Sequence, residues 1–566
     1  VRLAPAPRAL ALATALLAAC GGSERLSSDD MPPPAAVDFE IVEATISDVH
    51  AAMAAGSLDC VDLVQGYLDR IDAYDHQGPT LNSVIAINPD ALADAAALDA
   101  AYDDHGLTGP LHCAPILLKD NFDAAGLVTS GGATALDNAM PPDDAFSVAG
   151  IRAAGAIILG KANMDEFAFG FVGSSSMGGL VHNPYDPTRG SGGSSSGSGA
   201  SIAASLAMFA TGSDTGGSIR VPSSLGGLIG LRPSLRLVSQ DGILPLAHFQ
   251  DVGGPMCRTV RDCALLLDAM VGHDPGAGSG QYNEPTTRPE DGATLVADAA
   301  AYATLTGVPD SYASNLDVNA LQGARIGVVR ELFGSNEQVI AVVDAALAAM
   351  ASAGAIVEDV VIEDLSDITG YSSVSRWEFR DHLTEYLQSW PSDEDGHLRS
   401  FEAVLASGGY ENDSLFVLVL DALSGTTREL DPTYLENVRE RGPFVRARLR
   451  AALDHETLDG AVLGAPYDAL VYPSIQGLAP TAGSSPSTGS NNRLSPFSGF
   501  PALSMPAGVA DTDPALPVGM ELLGREFDEA GLLRLAYAYE QLAADIEGLG
   551  RSAPTFTPAL ETEAAR

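Results

Sequence analysis

The sequence predicts an α/β protein in which a central β-sheet is covered by helices on both faces. Three observations lead there. Short apolar runs bounded by chain breakers, at 115–118 and 156–159, read as buried strands. Stretches with apolar residues at helical spacing lie between such runs. Hydrophobic residues make up 46% of the 566 positions and charged residues 18%, a globular balance with ample chain to bury a core.

Taken in order, Ile46, Val49 and Met53 sit at helical spacing. After Gly56 the spacing resumes with Val61, Val64, Leu68 and Ile71, so two consecutive helices are predicted. Residues 89–102 are Ala-rich and acidic and read as a third. Runs at 325–330, 356–362 and 469–473 resemble the first two strands. The stretch 200–210 reads as one buried helix. Strands alternating with helices imply a largely parallel sheet. Residues 273–295, rich in Gly, Pro and acid, read as a surface loop. Residues 474–496, rich in Ser, Gly, Pro and Asn, read as a loop over the site. There is no internal repeat.

Lys and Arg total 30 against 74 Asp and Glu, a net charge of −44. That balance argues against a nucleic-acid partner, which needs clustered positive charge. It argues equally against a polybasic membrane surface.

Arg2 and Arg8 precede an apolar stretch, 9–19, too short to span a bilayer and fitting a signal segment. It ends in Leu17-Ala18-Ala19-Cys20, which resembles a bacterial lipobox whose Cys20 becomes lipidated. The expected organisation is a lipoprotein-type signal at 1–20, a flexible tether at 21–43, one catalytic domain at 44–548 and a tail at 549–566. Such a protein is exported and held in the cell envelope by its lipid. Cys60, Cys113, Cys257 and Cys263 match no zinc spacing. They read as mostly buried thiols, with one disulfide of unassigned pairing possible.

Two motifs mislead. The run 155–161 nearly spells a phosphate-binding loop, but Ala162 follows Lys161 and offers no hydroxyl to Mg²⁺, and the intervening residues look like a strand. Gly193-Ser194-Ser195-Ser196-Gly197 fits the G-x-S-x-G of an esterase elbow, which needs a strand leading in; here a Pro-containing loop leads in. An esterase with Ser195 as nucleophile stays open as an alternative.

Three further elements stand together. Lys119-Asp120-Asn121 ends a predicted strand, Gly192-Gly193-Ser194-Ser195 opens the Ala-rich helix, and Asp214-Thr215-Gly216-Gly217-Ser218-Ile219-Arg220 follows it. Lys119 and Lys161 are the chain's only lysines, and a lysine kept where Arg serves elsewhere suggests a need for a neutral amine. On these motifs the sequence resembles the amidase signature family of serine hydrolases. The resemblance runs over about 44–545 and includes Gly230-Leu231-Arg232-Pro233, Gly254-Pro255-Met256 and Ser498-Gly499-Phe500-Pro501-Ala502-Leu503.

The resemblance implies the amidase signature fold, a mixed central sheet with helices on both faces. It implies a Ser-cisSer-Lys triad, with Ser218 as nucleophile, Lys119 as base and Ser194 relaying between them across a cis Gly193–Ser194 bond. Ser195 is expected to support the relay. Backbone amides of Thr215, Gly216, Gly217 and Ser218 are expected to hold an oxyanion. Asp214 and Arg220 are expected to be a structural pair, and Lys161 to hold a loop or helix end. Residues 167–170 read equally as pocket or core. Cys113 stands where the family commonly has Gly. The implied reaction is carboxamide hydrolysis through an acyl-enzyme, with no metal and no cofactor. The expected substrate is a small amide or a C-terminally amidated peptide. An amidotransferase A-type subunit releasing ammonia for transamidation is the other member-type reading.

Overall fold

The structure, a computed structural model, describes residues 39–275, 299–390, 396–411 and 428–554. The expected signal with Cys20 and most of the tether lie outside these residues, as do most of the 273–295 loop and the tail from 555. Among the described residues no helix is long and apolar enough to cross a membrane.

Helix α1 (Ile46–Ala54) begins where Thr45 Oγ1 accepts from the Asp48 amide and the Asp48 carboxylate reaches back to the Thr45 amide. Helix α2 (Cys60–Tyr74) is capped by Asp59 and buries Leu63, Val64, Tyr67 and Ile71 along one stripe. Helix α3 (Ala91–His105) follows the first strand. The two-helix and third-helix expectations therefore hold.

One sheet of eleven strands forms the centre. In chain order they are β1 (Val84–Ile87), β2 (Pro115–Lys119), β3 (Ile157–Ala162), β4 (Phe209–Asp214), β5 (Ile229–Arg232), β6 (Val252–Cys257), β7 (Arg325–Val328), β8 (Ile356–Asp359), β9 (Ala469–Pro473), β10 (Ala502–Ala510) and β11 (Leu516–Leu523). The order across the sheet is β1-β3-β2-β4-β6-β5-β10-β11-β9-β7-β8. Pairing is parallel only at β2 with β3 and β4, and at β7 with β8 and β9. The six other pairs are antiparallel, and all but the β1–β3 pair lie together at the centre. The sheet is thus mixed, as the family resemblance implied, and the largely parallel expectation is corrected. The central strands Val-Gly-Gly-Pro-Met-Cys and Ala-Leu-Ser-Met-Pro-Ala-Gly-Val-Ala carry Gly and Pro, which hide a strand from a propensity reading.

The strands β2, β3, β4, β6 and β9 are buried along their whole length, because helices cover both faces. The expected helix over 200–210 is corrected too. Helix α4 (Phe146–Ala153) precedes β3, and helix α5 (Ser196–Ala203) ends at Ala204. Ser205 then takes φ +53°, which stops the helix, and β4 starts at Phe209. Helix α6 (Arg220–Gly226) follows β4 and packs on β10 and β11.

The packed body extends past the expected limits of 44 and 548. Phe39 and Ile41 pack against the main core. Arg551 bonds to both carboxylate oxygens of Glu43 and to the Gly227 carbonyl, tying the two ends together. Cys60 and Cys113 are disulfide-bonded, while Cys257 and Cys263 are free and buried.

Candidate active site

Strand β2 delivers Lys119 to its carboxyl end, fully buried. Its amide donates to Thr211 Oγ1 on β4 at 3.0 Å. Its Nζ lies 2.8 Å from Ser194 Oγ, 2.8 Å from Ser213 Oγ and 3.3 Å from the Ser213 carbonyl. Burial drives the Lys119 amine down to about 7, against the opposing pull of Asp165, Asp214 and Asp251. An amine in that range is neutral often enough to take a proton at ordinary pH.

The Gly193–Ser194 peptide is cis. The Ser194 carbonyl accepts from the Asp165 amide at 3.0 Å, and the Ser195 amide donates to the Ser218 carbonyl at 3.2 Å. A Cβ on Gly193 would overlap the Asp165 carboxylate, so only glycine fits there. The loop carrying Ser194 is thus pinned to the segment carrying Ser218. Among the described residues no hydrogen bond joins the two hydroxyls of Ser194 and Ser218. Ser195 Oγ donates to the Ser213 carbonyl at 3.4 Å, and among the described residues no histidine partners it. The esterase arrangement, which needs a base on Ser195, is therefore not formed.

The turn 215–217 between β4 and α6 is built by Asp214. Its carboxylate accepts from the amides of Gly217 at 2.7 Å and Ile219 at 3.2 Å. It also pairs with Arg220 at 3.1 Å and Arg232 at 3.2 Å. Burial alone would raise the Asp214 carboxyl, but the two guanidinium groups and these amides hold it at about 2. Arg220 continues to Glu521 at 2.7 Å, and Glu521 accepts from Tyr472 at 2.8 Å. The expected structural role of Asp214 and Arg220 is what the geometry displays. It also commits the Gly217 amide to the Asp214 carboxylate. The amides of Gly216 and Ser218 find no protein acceptor among the described residues. Thr215 is anchored at 2.5 Å through its hydroxyl to Asp251.

The 474–496 segment reaches this turn: Asn492 Nδ2 donates to the Gly216 carbonyl, and its own carbonyl accepts from Arg220 at 3.0 Å. A small cavity beside the lysine is lined by Asn121, Ser213, Thr215, Gln240, Leu244 and His248, among others. Ala168 and Leu244 line it and belong to the same apolar cluster in which Phe167 and Phe169 pack with Phe379. Lys161 pairs with Asp120 at 3.2 Å and donates to the Val128 carbonyl at 2.9 Å, holding a loop as expected.

The sequence reading gave no role to Ser213, Thr211, Asp251 or Asn492, and quoted Arg232 only as part of a motif. One signal was available for the first two. Thr211 and Ser213 lie two apart on a strand, so both face the same neighbour.

The family model described as Amidase matches residues 62–533. The A-type subunit of glutamyl-tRNA(Gln) amidotransferase from Alkaliphilus metalliredigens is 32% identical over 521 residues, covering 89% of this chain and 97% of that one. Its namesake from Pseudomonas putida is 33% identical, covering 88% and 97%. Among solved structures, peptide amidase from Stenotrophomonas maltophilia is 34% identical, with a TM-score of 0.77 over 92% of this chain and all of that one. An amidase family protein from Bacillus anthracis is 28% identical, with a TM-score of 0.75 over 91% of this chain and 93% of that one.

Proposed function

We propose, for a chain that belongs to the amidase family and so is an enzyme acting on amides, that it hydrolyses a carboxamide through an acyl-serine. The observation that carries this reading is the fully buried Lys119 amine, 2.8 Å from Ser194 Oγ and with its proton affinity lowered to about 7.

In this reading the neutral Lys119 draws the Ser194 hydroxyl proton as Ser194 draws that of Ser218. Ser218 Oγ attacks the carbonyl carbon, and the negative oxygen is met by the amides of Thr215, Gly216 and Ser218. Gly217 is left out, since its amide is already held by Asp214. The intermediate collapses, the C–N bond breaks, and the amine or ammonia leaves with the proton from Lys119. Water then attacks the ester as the same relay takes its proton; the bond from the acyl carbon to Ser218 Oγ breaks, the acid leaves, and the proton returns from Lys119 through Ser194 to Ser218. No step calls on a metal or an organic cofactor. A small amide or a C-terminally amidated peptide is the proposed substrate, supported by the likeness to peptide amidase. The proposed placement is an exported protein anchored through Cys20. Cys20→Ala should then release it from membranes.

The sequence relatives favour a second reading, an amidotransferase A-type subunit that releases ammonia by the same cleavage. The net charge of −44 suits a tRNA-handling assembly poorly.

The test is a hydrolysis screen of the purified chain with free amides, amidated peptides, anilides, esters and glutamine, alongside Ser218→Ala. Turnover of amidated peptides or small amides by the isolated chain, lost in Ser218→Ala, supports hydrolysis. Activity on glutamine alone, only with co-purified subunits, would establish the second reading. Undiminished turnover by Ser218→Ala would remove the nucleophile.

A further inference from the structure

The triad does not explain why the lysine amine has more oxygen neighbours than one relay requires. Nζ meets Ser194 Oγ, Ser213 Oγ and the Ser213 carbonyl. A neutral amine carries two hydrogens and one lone pair, and an ammonium carries three hydrogens. The carbonyl can only accept, so it takes one amine hydrogen. If Ser213 Oγ takes the other, the lone pair is left for the Ser194 hydroxyl. Once a proton has arrived, three N–H groups meet three oxygens and none is orphaned.

The Ser213 hydroxyl is itself held. Asn121 Nδ2 donates to Ser213 Oγ at 3.0 Å and to the Leu244 carbonyl at 3.3 Å. Asn121 is buried and stands two residues beyond Lys119, so brace and base ride on one segment.

We propose that Ser213, braced by Asn121, is a positioning residue that occupies both hydrogens of neutral Lys119 and so keeps its lone pair on Ser194. This rests on the reading of Lys119 as the base. It adds a fourth side chain that sets when and where the base is competent.

The charged groups facing Lys119 are Asp165, Asp214 and Asp251. Asp165 Oδ1 accepts from the amides of Val172 and Gly173. Asp214 is taken by Arg220 and Arg232. Asp251 accepts from Thr215 and from the amides of Leu246 and Ala247. None of the three hydrogen-bonds to Nζ among the described residues, so Ser194 and Ser213 are the groups that contact it.

The test needs no substrate. The rate of covalent labelling of Ser218 by a fluorophosphonate is followed from pH 5 to 9, with the modified peptide mapped by mass. In the wild type the rate should rise through an acid limb set by Lys119. Ser213→Ala should lower the plateau roughly tenfold or more, by misplacing the amine. It should also move the limb down by about one pH unit, because the ammonium loses an acceptor. Ser213→Thr keeps the hydroxyl and should restore both. Asn121→Ala should shift the limb the same way by less. The double variant should match Ser213→Ala alone, since Asn121 acts through Ser213.

A Ser213→Ala enzyme slowed equally at every pH, with its limb unmoved, overturns the proposal. So does a double variant in which the shifts add. If Ser213→Ala does not fold, an unmoved limb in Asn121→Ala overturns it instead. Failure to label Ser218 in the wild type brings down the serine–lysine reading itself, and is thereby distinct.

Discussion

Lys119 Nζ lies 2.8 Å from Ser194 Oγ across 75 positions of sequence, with no water-exposed surface on the amine. The pair joins the end of β2 to the loop that enters α5. Its consequence is an amine whose hold on its proton is weakened by burial.

The first prediction concerns that dependence. In the proposed mechanism the working form is the neutral amine, and burial brings it down to about 7. Activity should therefore rise with pH through about 7 and level off above it. Lys119→Ala should lose at least two orders of magnitude, the usual worth of a positioned base. Lys119→Arg should not recover it, because a guanidinium stays protonated. A pH–rate profile of both variants decides it, and a near-normal Lys119→Arg enzyme would remove the base from the scheme.

The second concerns the buried ion network under the 215–217 turn. Removing one partner of a buried pair leaves the other charge stranded, at a cost of about 3–5 kcal/mol. Arg220→Met should lower the thermal midpoint accordingly, and Glu521→Gln should lower it less, since Gln still accepts from Tyr472. Asp214 is held at about 2, below its unfolded value, so its stabilisation is present at neutral pH and fades as pH falls through about 2. Unchanged melting in Arg220→Met would show that the network carries no stability.

The third uses a group shifted the other way. Glu378 is fully buried, accepts from the Tyr434 hydroxyl at 3.1 Å, and is pushed up by burial to about 8. A carboxyl raised in the folded state favours folding fully below its unfolded value, near 4.3, and loses that advantage as pH rises through about 8. Glu378→Gln should therefore raise the thermal midpoint at pH 9 more than at pH 5. Parallel melting profiles for the two proteins across that range would contradict it.

The fourth concerns the disulfide. Cys60 and Cys113 close a 53-residue separation, worth about 4 kcal/mol by loop entropy. Cys60→Ala should lower the midpoint, and reductant should lower the wild type to match. Cys113 sits at φ +67°, a conformation that suits glycine and costs other residues about 1–2 kcal/mol. Cys113→Gly should thus be milder than Cys60→Ala. Equal losses from the two would mean that the backbone angle carries no penalty.

The elements that the sequence displays are those with strong local signals. Helices α1 and α2 follow from their apolar spacing and caps, and β2 and β3 from short runs between breakers. The two serines stood out through Gly-Gly before Ser194 and Thr-Gly-Gly before Ser218, and the lysine as one of only two in the chain. The chain by itself therefore singled out Lys119, Ser194 and Ser218 as candidates. Tertiary structure decided the rest. Antiparallel pairing at the sheet centre joins strands whose Gly and Pro content conceals them, because their partners supply the hydrogen bonds that propensity does not foretell. The amine's weakened hold on its proton, the capture of the Gly217 amide by Asp214, and the contact of Ser213 with Lys119 all arise from burial and proximity between distant segments. No local pattern encodes those quantities, since each depends on what the fold removes from water and what it brings alongside.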